Sequence, residues 1–315
     1  MTDGTMGAQW LIRARIDDAD WNARVAALGG GSAGYMHTAY LDAVAPGWGA
    51  LHFADGCLFP IWPRGWGPLR QCRQPWFVQH LSTLPPIGQN QSPATELAER
   101  LTQAMRGALK GACLLEFQVD EPPPSANQIP AGWQAIARTT FRLPMDPETA
   151  RAGYSAHHRR LIRVVDGLHY AKSSDYESFL RVFASQVARK AGLSAQQMRT
   201  LKRLLKVLLD GQNAALWTLK RDEELLCGCV LLRSGPRLVY QIAVNSRESM
   251  QMGGMHRLVD HILHMPEYKG LIFDFEGSDL PGLQRFYSGF GARPHMYTRW
   301  AFDERHPILR RLQRI

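Results

Sequence analysis

Between Leu271 and Trp300 the chain reads LIFDFEGSDLPGLQRFYSGFGARPHMYTRW, and no other stretch limits its possible folds as much. Leu271 to Phe275 is a short apolar and aromatic run that ends in polar residues, which predicts a buried strand. Glu276-Gly277-Ser278-Asp279 is a turn. Pro281 suits the first turn of a helix, where its missing N–H costs nothing. Leu283, Phe286, Tyr287 and Phe290 then recur at helical spacing, predicting a short amphipathic helix from Gly282 to Phe290. Gly291 is a candidate left-handed cap, and Met296 to Phe302 a last strand. A strand, polar turn, helix and strand in this order suit an open α/β sheet, whose ligands bind just past the carboxyl ends of the strands.

The chain has 315 residues, enough for about two domains. Hydrophobic residues make up 45%, sufficient for a core without staples. No apolar run reaches the ~18 residues of a membrane-spanning helix. The first residues, MTDGTMGAQW, lack a basic region followed by an apolar stretch. Five cysteines without a CxxC pair read as reduced core thiols. Together these set the expectation of a cytoplasmic protein. The histidines show no metal-ligand spacing, and His157-His158, His261 and His264 read as helix-surface residues. Charge is divided unevenly: residues 1–150 carry net −2 and residues 151–315 net +11. A basic second half predicts an anionic partner.

The first half alternates short strands with helices. Residues 49–88 are rich in Gly, Pro and Trp and contain a hairpin around Ala54-Asp55-Gly56 and a strand from Pro75 to His80. Their aromatic residues line either a concave site or the core. Ala112 to Val119 is a buried strand, Trp133 to Leu143 a strand pair, and Pro144 to Pro147 the domain boundary. The second half opens with a basic helix, Tyr154 to Asp166, on which Arg159 and Arg163 share a face at i, i+4. Two long helices follow, then an antiparallel meander over Ala214–Arg221, Leu225–Arg233 and Arg237–Val244, then a helix after Gly253-Gly254. The expected domains are 1–147 and 148–303, with the tail 304–315 crossing back onto the first.

A meander, a glycine-opened helix and a strand ending in polar residues is the layout of a GNAT (N-acetyltransferase-like) domain. In that fold the amides at a helix N-terminus grip a pyrophosphate. Here that segment is Ser246 to Met255, with Gln251, Gly253 and Gly254 as candidate phosphate contacts; the alternative is that Gly253-Gly254 only begins a helix. The run Asp274-Phe-Glu-Gly-Ser278, followed by Gly282-Leu-Gln-Arg-Phe-Tyr-Ser-Gly-Phe-Gly-Ala292, resembles the C-terminal signature of the Fem-type transferases. Tyr154-Ser155, Arg159-Arg160-x-Ile162-Arg163 and Tyr240-Gln-Ile-Ala-Val-Asn-Ser246 resemble further parts of that family, as does Pro75-Trp-Phe-Val-Gln-His-Leu81 more loosely. The resemblance implies an α/β protein with two tandem GNAT-like domains, each a mixed central sheet flanked by helices.

It also implies transfer of an activated acyl or aminoacyl group to an amine. The donor would be an aminoacyl-tRNA or an acyl-CoA, and in the peptidoglycan branch the acceptor is a cell-wall precursor. Two other readings remain: a CoA-dependent N-acyltransferase acting on a small amine or peptide, and a non-enzymatic binder of RNA or another anionic polymer. Amine attack on an ester or thioester needs a proton acceptor and donors for an oxyanion. Asp274 and Glu276, i and i+2 on a strand, would face the same way and offer the acceptor; a salt bridge from Asp274 to Arg285 or Arg299 is the alternative. Tyr287 stands where the family often has a lysine and can donate a hydrogen bond without bringing charge. Tyr240 is a candidate acid or pocket wall. Arg159, Arg163, Arg285 and Ser278 are candidate phosphate or carboxylate contacts.

Overall fold

The structure is a computed structural model describing residues 8–65, 70–163, 166–211, 213–277 and 279–305. The chain starts with β1 (Gln9–Ile12) and passes through a 3-10 turn to α1 (Asp18–Ala27). The Asp17 carboxylate accepts the Asp20 amide at 2.8 Å and so caps the first turn of α1. Trp21 and Val25 are the buried face of α1, and the Trp21 indole donates to Met36 O at 2.7 Å. Next come α2 (Ala33–Met36), α3 (Thr38–Val44), and the hairpin of β2 (Gly49–His52) and β3 (Leu58–Ile61). Strands β1, β2 and β3 form a small antiparallel sheet. Then follow β4 (Pro63–Arg64), β5 (Arg70–Cys72), α4 (Ala94–Arg106), β6 (Ala112–Val119) and β7 (Trp133–Pro144). Residues 133–144 are one continuous strand rather than the expected pair.

The second half begins with α5 (Ala156–Leu161) and β8 (Leu168–Ser173). Helix α6 (Tyr176–Phe183) runs through a π turn at Ala184–Ala188 into α7 (Arg189–Ala191). Helix α8 (Ala195–Asp210) opens with a capping box between Ser194 and Gln197. The meander is β9 (Ala214–Arg221), β10 (Glu224–Ser234) and β11 (Arg237–Asn245). It leads to α9 (Arg247–Met252), α10 (Gly254–Leu263), β12 (Ile272–Asp274), α11 (Pro281–Ser288) and β13 (Arg293–Asp303). In α11 the proline stands at the start, as expected, but Leu283 is exposed and the buried residue is Tyr287.

The chain divides into two compact units, Met1–Arg138 with Met296–Ile315, and Thr139–His295. The division falls inside β7, whereas the sequence reading placed the join at 147/148. Glu304 N donates to Cys113 O in the first unit; residues 306–315 lie outside the described residues. The first unit holds the small sheet and a second one in the order β4-β5-β6-β13. Its core includes Phe117, Trp133 and Trp300, with the rings of Phe117 and Trp300 stacked at 6.4 Å.

The second unit is a mixed sheet in the order β7-β12-β11-β10-β9-β8, in which only the β11–β12 pair is parallel. Alternate residues of β10 face opposite layers. Cys227, Cys229 and Leu231 share a core with Leu258, Val259 and Ile262 of α10, while the backbone at Gly228 lies against Phe179 of α6. The sheet is therefore covered on both faces, which the near-continuous burial of β10 requires. All five cysteines are free thiols, and burial pushes those of Cys72 and Cys227 up to about 12. No described helix is long and apolar enough to cross a membrane.

Candidate active site

The site is built where the parallel pair of the second unit comes apart. Strands β11 and β12 are in register at Arg237↔Ile272, Leu238↔Phe273 and Val239↔Asp274, and the pairing ends there. β11 runs on to Asn245, whereas the chain beyond β12 stays with β7: Phe275 N donates to Phe141 O at 3.0 Å. Glu276 and Gly277 then turn through left-handed backbone, with φ of 59° and 72°. A side chain at Gly277 would lie 2.4 Å from Thr139 O, so the turn closes against β7 only because glycine stands there.

Asp274 fixes this turn. It is fully buried, and both of its oxygens are occupied. Oδ1 accepts from Thr140 Oγ1 at 2.6 Å and from Glu276 N at 3.0 Å. Oδ2 accepts from Arg142 Nε and Arg237 Nη1, each at 2.8 Å. A carboxylate held by two guanidinium groups is a poor proton acceptor. The expectation that Asp274 takes the amine proton is corrected accordingly: it is a positioning residue. Its cations are Arg142 and Arg237, not Arg285 or Arg299; Arg299 pairs with Glu116 at 2.7 Å. Asp274 and Glu276 also do not share a strand face, because Glu276 has left-handed backbone and lies beyond the strand.

Tyr240, Phe273, Phe275, Tyr287 and Phe290 form one buried cluster at this divergence. The Phe275 ring stacks on Tyr287 at 4.6 Å and lies 5.8 Å from Tyr240. Neither phenol makes a hydrogen bond to another described residue. Burial, and then the Glu276 charge, raise the Tyr287 hydroxyl above its ordinary range; burial, then Cys229 and Tyr287, do the same for Tyr240. Both are therefore protonated donors at neutral pH. The rings are buried, but each hydroxyl reaches solvent without a partner among the described residues, so both are open to donate to a ligand, with Glu276 beside Tyr287.

The other expected site residues separate into groups. Arg159 and Arg163 are exposed, but they share no helix face. Helix α5 ends at Leu161, and the Arg163 carbonyl is instead taken by the Arg257 guanidinium of α10. Arg285 is exposed on α11, and Gln251 is exposed on α9. Ser278 lies outside the described residues. His158, expected on a helix surface, is buried: Nε2 donates to Phe286 O at 2.9 Å, and Nδ1 is 3.0 Å from Ser155 Oγ. Its ring is 4.6 Å from that of His256. His261 is also packed rather than free on a surface, stacking on Tyr170 at 4.7 Å. Among the described residues, no three His, Cys, Asp or Glu side chains could share a metal ion. Sequence reading missed Thr140, Arg142, Arg237, His158 and His256, because their partners are remote in the chain.

A family model described as an acetyltransferase (GNAT) domain matches residues 149–280. Three solved structures extend the likeness of fold over more than nine-tenths of the chain. FemX superposes with a TM-score of 0.65 at 13% identity, covering 95% of this chain and 98% of its own. The C-terminal domain of a putative lysylphosphatidylglycerol synthetase from Agrobacterium fabrum gives 0.57 at 13%, covering 91% and 93%. A tandem GNAT protein from the clavulanic acid biosynthesis pathway gives 0.56 at 13%, covering 94% and 98%. The chain has the Fem-like tandem GNAT fold. No curated protein matches its sequence.

In a GNAT domain the segment after β11 should be an amide cradle for a pyrophosphate. In this Fem-like chain it is the helix α9, capped by Ser246 Oγ on Ser249 N at 3.1 Å. Gly253 is its left-handed C-cap and also the N-cap of α10. The start of α10 is packed shut. A Cβ at Gly254 would lie 2.1 Å from Ser249 Oγ, and one at Gly253 would lie 3.1 Å from the Leu161 side chain. Gly253 and Gly254 are buried, so they offer no open anion site of the expected kind. Glu248 already occupies the first turn of α9, paired with Arg221. The residues present do not fit a CoA pyrophosphate at this place.

Proposed function

We propose that this Fem-like protein transfers an activated acyl group from an ester donor to an amine, at the point where β11 and β12 part. The observation that carries the reading is the pair of phenols, Tyr240 and Tyr287, whose rings share one buried cluster while their hydroxyls bond to no described residue, with Glu276 beside Tyr287. The amine nitrogen attacks the donor carbonyl, forming the C–N bond. Glu276 takes the proton the nitrogen loses. The Tyr287 hydroxyl donates to the oxyanion that develops on the carbonyl oxygen. On collapse the acyl–oxygen bond breaks, and the leaving oxygen takes its proton from Tyr240, which Glu276 restores through solvent. Asp274 holds the Glu276 backbone, and the buried cluster keeps water from competing.

An aminoacyl-tRNA suits this site better than a CoA thioester. The packed start of α10 favours a donor that is not gripped by its pyrophosphate. The exposed Arg159, Arg163 and Arg285 suit a polyanion. The Fem resemblance makes an amine on a cell-wall precursor the natural acceptor. A CoA-dependent N-acyltransferase is the second reading, favoured by the acetyltransferase family match over 149–280.

One assay separates the two. The purified chain is given radiolabelled aminoacyl-tRNA or acetyl-CoA with a lysine-containing peptide acceptor, and amide product is counted. Product from the ester donor is expected, lowered about 10²–10³-fold in kcat by Tyr287→Phe and about 10²–10⁴-fold by Glu276→Gln. Product from acetyl-CoA alone would establish the second reading. Full activity in both variants, with unchanged unfolding, rejects this site.

A further inference from the structure

We infer that the first unit carries a separate carbohydrate-binding groove on the face of its β5–β6 sheet. A cavity of about 690 Å³ lies there, within the range of roughly 300–1,000 Å³ typical of small-ligand sites. Its floor is a polar grid. Gln71 and Arg73 come from the β5 segment and Glu116 and Gln118 from β6, i and i+2 on each, so all four project from one face. Trp62 and Trp76 stand on its walls, and Trp76 is 53% exposed. The carboxamides of Gln71 and Gln118 bond to no other described residue.

The lip of the groove is held in a strained shape. Phe77 has a φ of 67°, rare for a bulky side chain. The Gln74 amide clamps it: Nε2 donates to Val78 O at 2.7 Å and Gln79 O at 2.8 Å, and Oε1 accepts Gln118 N at 2.6 Å. The Tyr40 hydroxyl donates to Phe77 O as a third tie. The outcome is a large exposed indole fixed over a polar floor. Left-handed strain in an aromatic residue persists where the surroundings enforce it, and it clusters at ligand clamps. A rigid lip also reduces the ordering cost of binding.

The chemistry of the floor selects the ligand class. Carboxamides offer a donor and an acceptor side by side, which matches vicinal hydroxyls. The apolar C–H face of a pyranose ring fits the flat negative face of an indole. The groove therefore fits a short saccharide, independently of the acyl-transfer site in the other unit.

Saturation-transfer NMR on the whole chain tests this, with maltotriose, chitotriose and trigalacturonate as probes and uridine monophosphate as the comparison. At least one trisaccharide should bind saturably, with transfer to its ring C–H protons. Trp76→Ala and Gln118→Ala should each weaken it about tenfold or more, leaving the melting temperature and acyl transfer unchanged. Three results overturn the inference: no trisaccharide binds, binding survives both substitutions, or only the nucleotide binds and is lost in Trp76→Ala.

Discussion

Asp274 is the residue on which the site rests, and its charge is the reason. Arg237 is 3% exposed and has this fully buried carboxylate as an ion-pair partner. Asp274→Asn keeps the shape but leaves a buried guanidinium uncompensated, which should cost about 3–5 kcal/mol in urea unfolding. An effect below about 1 kcal/mol would show that the pair is screened by solvent, as surface pairs are. The sequence pointed to Asp274, Glu276 and Tyr240 through their strand and turn context and to Tyr287 through the Fem resemblance, and the structure puts them in one neighbourhood. Their partners were invisible in it. Arg142 and Thr140 lie 132 and 134 residues from Asp274, and no periodicity connects them. The role of Asp274 changed for that reason: a carboxylate at a strand end looks the same in sequence whether it is empty or filled.

At the level of elements, runs with a clear pattern emerged almost as read, β6 and β9 among them. The failures have side-chain causes. Residues 75–80 look like a strand, but Gln74 ties up the carbonyls of Val78 and Gln79 and bends the segment into a turn. Helix α5 is short because Arg257 captures the Arg163 carbonyl. The contact of α5, α10 and α11 has its own pH dependence. Burial, then the neighbouring His158, His157 and Arg257, lower the His256 pKa to about 4. In the unfolded chain it would titrate near 6.5. The unfolded state therefore binds the proton first, and stability, complete above about pH 6.5, falls as pH drops towards 4. His256→Gln should flatten that part of a plot of urea midpoint against pH; a slope identical to that of the parent chain contradicts it. His158, His261 and His37, also lowered by burial, should leave a residual slope.

For the whole molecule, the decisive fact is that the chain enters the first unit twice. β13 pairs with β6 from Thr298↔Val119 to Asp303↔Leu114. Trp300, 1% exposed, packs there on Phe117 and Trp133. A chain cut after His295 should lose the near-ultraviolet tryptophan signal of the first unit and be nicked by protease within 1–138, while 139–295 stays resistant. Equal resistance of both units would show that β13 is dispensable. One GNAT-like domain was legible from the order of elements in the second half, and the tandem arrangement from the Fem resemblance. The fate of β13 was not, because a last strand reads the same whichever sheet receives it.

That return strand also sets a timetable. On the ribosome β6 emerges early, yet Glu116 must await Arg299, 183 residues later. At roughly 5–20 residues per second this is a delay of about ten to forty seconds. The later-made unit has all its strands before the earlier one does. Until then the nascent first half carries the bare edge of β6, an adhesive surface of the kind chaperones shield.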